Sequence, residues 1–104
     1  MFTKCANALN SNKVYVKKWS FNVAAQSTYY QSFSYTVTVT DYTPVGIIGV
    51  LLWQARLVPS QIWINPDTLK AAITIIATDK ANITAGTITF VILYIKDFTV
   101  SSDN

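Results

Sequence analysis

Between Ser32 and Thr40 the chain alternates strictly: Phe33, Tyr35, Val37 and Val39 are interleaved with Ser34, Thr36, Thr38 and Thr40. A period of two with β-branched and aromatic residues predicts a strand with one apolar and one hydroxyl-bearing face. The next run breaks that pattern. Val45 to Trp53 is apolar at every position except Gly46 and Gly49. A strand without a polar face is dry on both sides, so this run is expected to be a central strand, paired antiparallel with Ser32–Thr40. Its nine residues fall well short of the roughly 20 that cross a bilayer as a helix. Phe90 to Ile95 has the same character near the C-terminus.

The remaining elements fall into place around these. Lys13–Ala24 predicts a first strand. Tyr15, Trp19, Phe21 and Val23 share one parity and Val14 and Val16 the other, and the switch around Lys17-Lys18 suggests a bulge or a strand that changes partners. Ala25–Gln31 predicts a polar, aromatic loop, and Ala55–Ser60 a loop containing Arg56 and Pro59. Gln61–Asn65 is a short strand closed by Pro66-Asp67. Leu69–Thr78 is a strand rather than a helix because of its β-branched Ile-Thr-Ile-Ile. Asp79–Ala85 is a turn and Gly86–Lys96 the last strand. About six strands with regular turn signals predict an all-β antiparallel sandwich. Residues 13–104 form one domain, residues 1–12 a leader or connection, and the polar run after Asp97 a tail.

Composition adds self-association to this picture. The chain has 104 residues, is 51% hydrophobic and only 12% charged, about half the usual charged fraction. Two strands without a polar face are hard to cover in one small domain. An oligomer is therefore expected, with Ile47, Val50, Leu52, Val91, Leu93 and Ile95 as the candidate interface. The net charge of +3 is scattered, with Lys17-Lys18 the one adjacent basic pair, so no nucleic-acid partner is expected.

Candidate chemistry is sparse. The chain has no His and no Glu, and Cys5 is its one cysteine. A Ser-His-Asp triad, a disulfide framework and a thiolate metal site are thereby excluded within the chain. The five acids, Asp41, Asp67, Asp79, Asp97 and Asp103, sit at predicted turns and strand ends, where Asp satisfies local backbone. Asp79, Asn82 and Thr84 bring oxygens together without the spacing of a known calcium loop. Gly46 and Gly49 lack the Lys-Ser/Thr of a phosphate loop. No enzyme activity, metal or cofactor is expected, and neither a signal peptide nor a membrane-inserting segment is present in the pattern. Aromatic side chains are numerous. Trp19, Trp53, Trp63, Tyr35 and Tyr94, in predicted strands, are assigned to core and interface packing. Tyr29, Tyr30 and Tyr42, in predicted loops, are candidate binding residues together with Arg56 and Gln61, since aromatic faces beside polar groups suit sugars and protein partners.

The run Tyr-Thr-Pro-Val-Gly-Ile-Ile-Gly-Val at Tyr42–Val50 and the closing Thr-Ile-Thr-Phe-Val-Ile-Leu-Tyr-Ile-Lys at Thr87–Lys96 resemble the C-terminal domain of phage and prophage tail fibre or minor tail proteins. The resemblance spans about Ser32 to Asp97. It implies a β-sandwich at the receptor-binding tip of a homotrimeric fibre, made in the bacterial cytoplasm and carried on the virion. The implied partners are further copies of the chain, other virion proteins and a host-surface glycan or protein. The other reading is a structural virion subunit, for capsid decoration or fibre assembly, without receptor binding.

Overall fold

The computed structural model describes residues 13–97. The expected leader and tail, and with them Cys5 and Asp103, lie outside the described residues. Six strands follow in order: β1 (Val14–Val23), β2 (Tyr30–Thr36), β3 (Tyr42–Leu51), β4 (Leu57–Ile64), β5 (Lys70–Ala77) and β6 (Gly86–Lys96). They form two antiparallel three-stranded sheets, sheet I in the order β1-β6-β3 and sheet II in the order β2-β5-β4. The chain is an all-β sandwich. The pairing is nested, first strand with last and second with fifth, as in a two-stranded ribbon rolled up on itself. This is the jelly-roll solution with six strands instead of eight. Among the described residues no helix is long and apolar enough to cross a membrane.

Alternation accounts for most of the core. Ile88, Phe90, Ile92 and Tyr94 of β6 and Ala71, Ile73, Ile75 and Ala77 of β5 face each other between the sheets, all fully buried. Two loop residues plug the ends of the sandwich: Val37 after β2 and Ile83 between β5 and β6. On the side where β1 and β2 have no ladder between them, aromatic rings close the gap. Phe21 of β1 stacks on Tyr35 of β2 at 4.3 Å between centroids, extended by Trp19 on one side and Phe33 on the other. Such stacks contribute about 0.5–1.5 kcal/mol per pair beyond area burial.

Several boundaries and neighbours differ from the sequence expectation. Val45–Trp53 lies mostly in β3, which is an edge strand and not a central one. Its partner is β6, and the Ser32–Thr40 segment belongs to the other sheet. Two β-bulges explain the missing polar face. They fall between Pro44 and Gly46 and between Ile47 and Gly49, leaving Val45 and Ile48 unpaired and turned outward. Pro59 does not hold residues 57–60 in a loop. It lies in the edge strand β4, where a proline is tolerated, next to a bulge that ejects Ser60. The parity switch in β1 is no bulge, since β1 pairs with β6 without a register break from Val14 to Val23. Val14 and Val16 instead belong to the outer face of sheet I, which is apolar at that end.

The free edges are blocked in different ways. β3 and β4 carry Pro44, Pro59 and the bulges, while β1 carries Lys17 and Lys18 at its middle. β2 has neither device. The Ala77 N–H bonds the Tyr29 carbonyl, so backbone groups of odd residues in β2 point to β5 and those of even residues point to the open edge. At that edge the Thr28 hydroxyl accepts from the Tyr30 N–H at 3.2 Å and donates to the Tyr30 carbonyl at 3.3 Å, and Gln31 Oε1 accepts from the Ser32 N–H at 3.1 Å.

A buried polar chain ties the sheets together. Trp19 Nε1 on β1 donates to the Tyr94 hydroxyl on β6 at 2.6 Å, which donates to the Val37 carbonyl beyond β2 at 2.6 Å. Burial pushes the Tyr94 phenol up from its ordinary pKa, and the indole bond pulls part of the way back. The folded state therefore holds this proton more tightly than the unfolded chain does, and the stability it lends at neutral pH is lost as pH rises beyond about 10. Tyr94→Phe leaves two buried groups unpaired, and the expected loss is about 1–3 kcal/mol. Denaturant melts at pH 7 measure that loss. Melts from pH 9 upward are expected to show a smaller alkaline decline for Tyr94→Phe than for the unsubstituted chain.

Candidate functional site

The outer face of sheet II brings together the groups best suited to recognition. Phe33 and Tyr35 of β2 face the core, so Tyr30, Ser32, Ser34 and Thr36 face outward. On β4, Leu57 is buried and Ile64 packs on the core, so Val58, Gln61 and Trp63 face outward. The register aligns these side chains in rows across β5: Tyr30, Ile76 and Val58; Ser32, Thr74 and Gln61; Ser34, Ala72 and Trp63. Rows are spaced about 7 Å along the strands, and the flanking strands stand about 10 Å apart.

The middle strand is short-chained where it matters. Ala72 and Thr74 point outward yet are only 6% and 2% exposed. Side chains of the flanking rows must therefore close over them. Trp63 and Tyr30 remain exposed. The Ser32 hydroxyl is bonded to the Thr74 hydroxyl at 2.8 Å, which fixes one hydroxyl of the row, and the Ser60 hydroxyl is bonded to the Thr74 carbonyl. The result is a low, uncharged face with aromatic groups at two corners and hydroxyl and amide groups between them. Lys70, opposite Thr36, is the charge at its far end.

The sequence-predicted binding residues divide between this face and elsewhere. Tyr30 and Gln61 lie on it. Tyr29 precedes β2 and is exposed beside the same end. Tyr42 is at the opposite end of the molecule, on the first residue of β3, with its ring 5.2 Å from Tyr15 and Lys96 Nζ above it at 5.4 Å. Arg56 is committed to structure. Its guanidinium donates to Asp79 Oδ1 at 2.9 Å, to the Ala81 and Asn82 carbonyls at 3.3 and 2.8 Å, and to Gln54 Oε1 at 2.9 Å. Of the three residues whose oxygens the sequence brought together, Asp79 faces the guanidinium with its carboxylate and Asn82 with its backbone carbonyl, while the Thr84 hydroxyl donates to Gln54 Oε1 at 3.2 Å. Among the described residues no group of three or more His, Cys, Asp or Glu comes together to hold a metal.

Trp63 is the residue that the sequence reading missed. The signal was present: in Gln61-Ile62-Trp63-Ile64 the two isoleucines share a parity, which sets Trp63 with Gln61 on the other face. The candidate interface residues also separate. Val91, Leu93 and Ile95 lie on the outer face of sheet I, whereas Ile47, Val50 and Leu52 pack against the core.

The three loops at the Tyr29 end hold one another. Ile83 exchanges backbone bonds with Thr28 and Gln26, and the Arg56 carbonyl accepts from both the N–H and the hydroxyl of Thr78. Trp53 lies against Gly86, where a Cβ would sit 2.2 Å from the indole. No family model matches the chain, and no match is found among curated proteins or solved structures.

The Ala81 N–H, bonded to Asp79 Oδ1 at 3.1 Å, holds the Asp79 carboxyl below the ordinary aspartate value. Slight desolvation opposes it, and the Arg56 guanidinium adds to the lowering. A depressed carboxyl stabilises the fold above its unfolded pKa and stops doing so as pH falls through its folded value. Thermal melts between pH 7 and pH 2 are expected to show a smaller acid-side decline for Asp79→Asn than for the unsubstituted chain.

Proposed function

We propose that the chain is a non-enzymatic attachment module of a phage or prophage tail that binds a host-surface glycan through the outer face of sheet II. The observation that carries the binding part is the pairing of exposed Trp63 and Tyr30 with the uncharged row Ser32–Thr74–Gln61. An aromatic ring presents a flat apolar surface for the C–H face of a sugar, and hydroxyl and amide groups fix its orientation. The three rows themselves carry no charge, Lys70 standing beyond them, and suit a neutral ligand. The resemblance of Tyr42–Val50 and Thr87–Lys96 to tail fibre domains supplies the setting. Weak sites of this kind gain strength when several are carried on one particle.

A second reading is favoured by the apolar outer face of sheet I: a structural virion subunit that buries this face against other virion proteins and binds no receptor. An array of neutral bacterial surface glycans separates the two. Under the attachment reading the chain binds a subset of the array, and Trp63→Ala and Tyr30→Ala each weaken binding about tenfold, the effect of about 1.4 kcal/mol. Tyr42→Ala, at the other end, leaves it unchanged. Glycan binding that survives both substitutions removes this face as the site. No glycan binding, with tight binding to particles, favours the structural subunit.

A further inference from the structure

Sheet I outruns sheet II at the Tyr42 end. Sheet II stops at the row that pairs Thr36 with Lys70, and the Tyr94 hydroxyl already reaches past it to the Val37 carbonyl. The inner face of the overhang is met by the turn from Val37 to Tyr42 instead of a strand. Alternation decides what lies on that face. Trp19 and Phe21 of β1 and Phe90, Ile92 and Tyr94 of β6 pack inward, so Tyr15, Lys17 and Lys96 are on the same side.

Aromatic rings and ammonium groups are gathered there. Tyr15 stands 5.8 Å from Tyr94 and 5.2 Å from Tyr42 between ring centroids. Lys17 Nζ lies 4.2 Å from the centre of the Trp19 ring, and Lys96 Nζ 5.4 Å from that of Tyr42. Among the described residues no cation stands over Tyr15. Its ring packs beside Tyr94, and the residue is still 38% exposed. Lys17 follows it by two residues, about 7 Å along β1. Lys96 is its diagonal neighbour across the ladder, about 7–8 Å away, because Tyr15 pairs with Tyr94. The open ring is thus flanked by a lysine on either side, and Lys13 adds a third positive charge two residues before it.

These charges are not neutralised by the described residues, among which the one ion pair is Arg56–Asp79 at the other end. Asp97 accepts from the Thr43 hydroxyl, and Thr43 shares the outward row of Val14 and Ile95. Asp41 sits in the turn at positive φ, with no described ammonium within ion-pair distance. A cation over a ring keeps its charge, and the ring restrains the long side chain. Much of the entropy that a lysine loses on holding an anion is thereby lost in advance. The arrangement suits a flat C–H face over Tyr15 with an acidic group on a flanking lysine. From Lys17 to Lys96 the patch spans roughly 15 Å by strand geometry, room for a short saccharide. It is too short to follow the phosphates of a nucleic-acid strand.

We propose that the Tyr15 end of sheet I binds an acidic sugar, with the sugar ring on Tyr15 and its carboxylate or phosphate on Lys17 or Lys96. The site is separate from the outer face of sheet II and does not depend on the neutral-glycan reading.

The test is isothermal titration of the full chain with trigalacturonate, its neutral methyl ester and mannose 6-phosphate, at about 50 mM salt. Trigalacturonate is expected to bind in the millimolar range or tighter, at least about tenfold more tightly than the ester. Raising the salt to about 500 mM weakens it. Lys17→Gln combined with Lys96→Gln lowers the affinity at least about tenfold. Tyr15→Leu keeps an apolar side chain beside Tyr94, removes the aromatic face and weakens binding about fivefold. Thermal melts check that both variants fold. Trp63→Ala leaves this binding unchanged, so the two sites are read separately. Mannose 6-phosphate bound in place of trigalacturonate, with the same losses, assigns the acid as a phosphate. No heat with either acidic sugar up to about 20 mM, an ester bound as tightly, or an affinity indifferent to the lysine pair and to Tyr15→Leu overturns the proposal. So does tighter binding of an oligothymidylate of about twelve nucleotides, which makes the patch a nucleic-acid site.

Discussion

The sandwich depends on keeping two sheets of only three strands in register with no disulfide and a small core. Tyr94 meets that constraint. Its ring is fully buried among the core residues of β6, and its hydroxyl is satisfied on both sides, by an indole from β1 and a carbonyl beyond β2. A buried hydroxyl without partners is costly, while a satisfied one is directional and specifies a single arrangement. Hydrophobic burial alone would allow the sheets to slide. The relay fixes where β1, β6 and the end of β2 stand relative to one another, and the aromatic stack along the β1/β2 side depends on that placement.

Much of the fold was legible in the sequence because strand periodicity is a direct consequence of pleating. Phe33 and Tyr35 face inward and Ser32 and Ser34 outward, as their alternation requires. β5 and β6 emerge close to their expected limits. What was not legible came from bulges and edges. Two inserted residues in β3 reverse the facing twice, so an unbroken apolar run mimics a strand buried on both faces while lying at the edge of a sheet. Pro59 signals a loop by composition, yet an edge strand has no use for the missing N–H on its open side. Which strand is central is a property of pairing, and no local pattern encodes it.

The candidate site was legible only in part for a related reason. Tyr30 and Gln61 come together because β2 and β4 flank the same middle strand, a fact of topology. Tyr42 shares their residue type and predicted loop context but enters the fold at the other end. Arg56, the most chemically conspicuous side chain in its segment, spends its hydrogen bonds on the loop between β5 and β6 and on Gln54 beside it. The two outer faces of the sandwich come out chemically distinct: one with hydroxyls and aromatic corners, the other apolar at the Val14 and Val16 end.

The hydrogen bonds that Thr28 and Gln31 make along the edge of β2 have a consequence for crowding. An open, regular strand edge is a template on which another chain can crystallise as the next strand, and repetition of that step yields cross-β ribbon without limit. Here the first half of the edge already has its donors and acceptors occupied by its own side chains, and those bonds travel with the folded domain at any concentration. Growth by strand addition along this edge is blunted even for molecules held shoulder to shoulder.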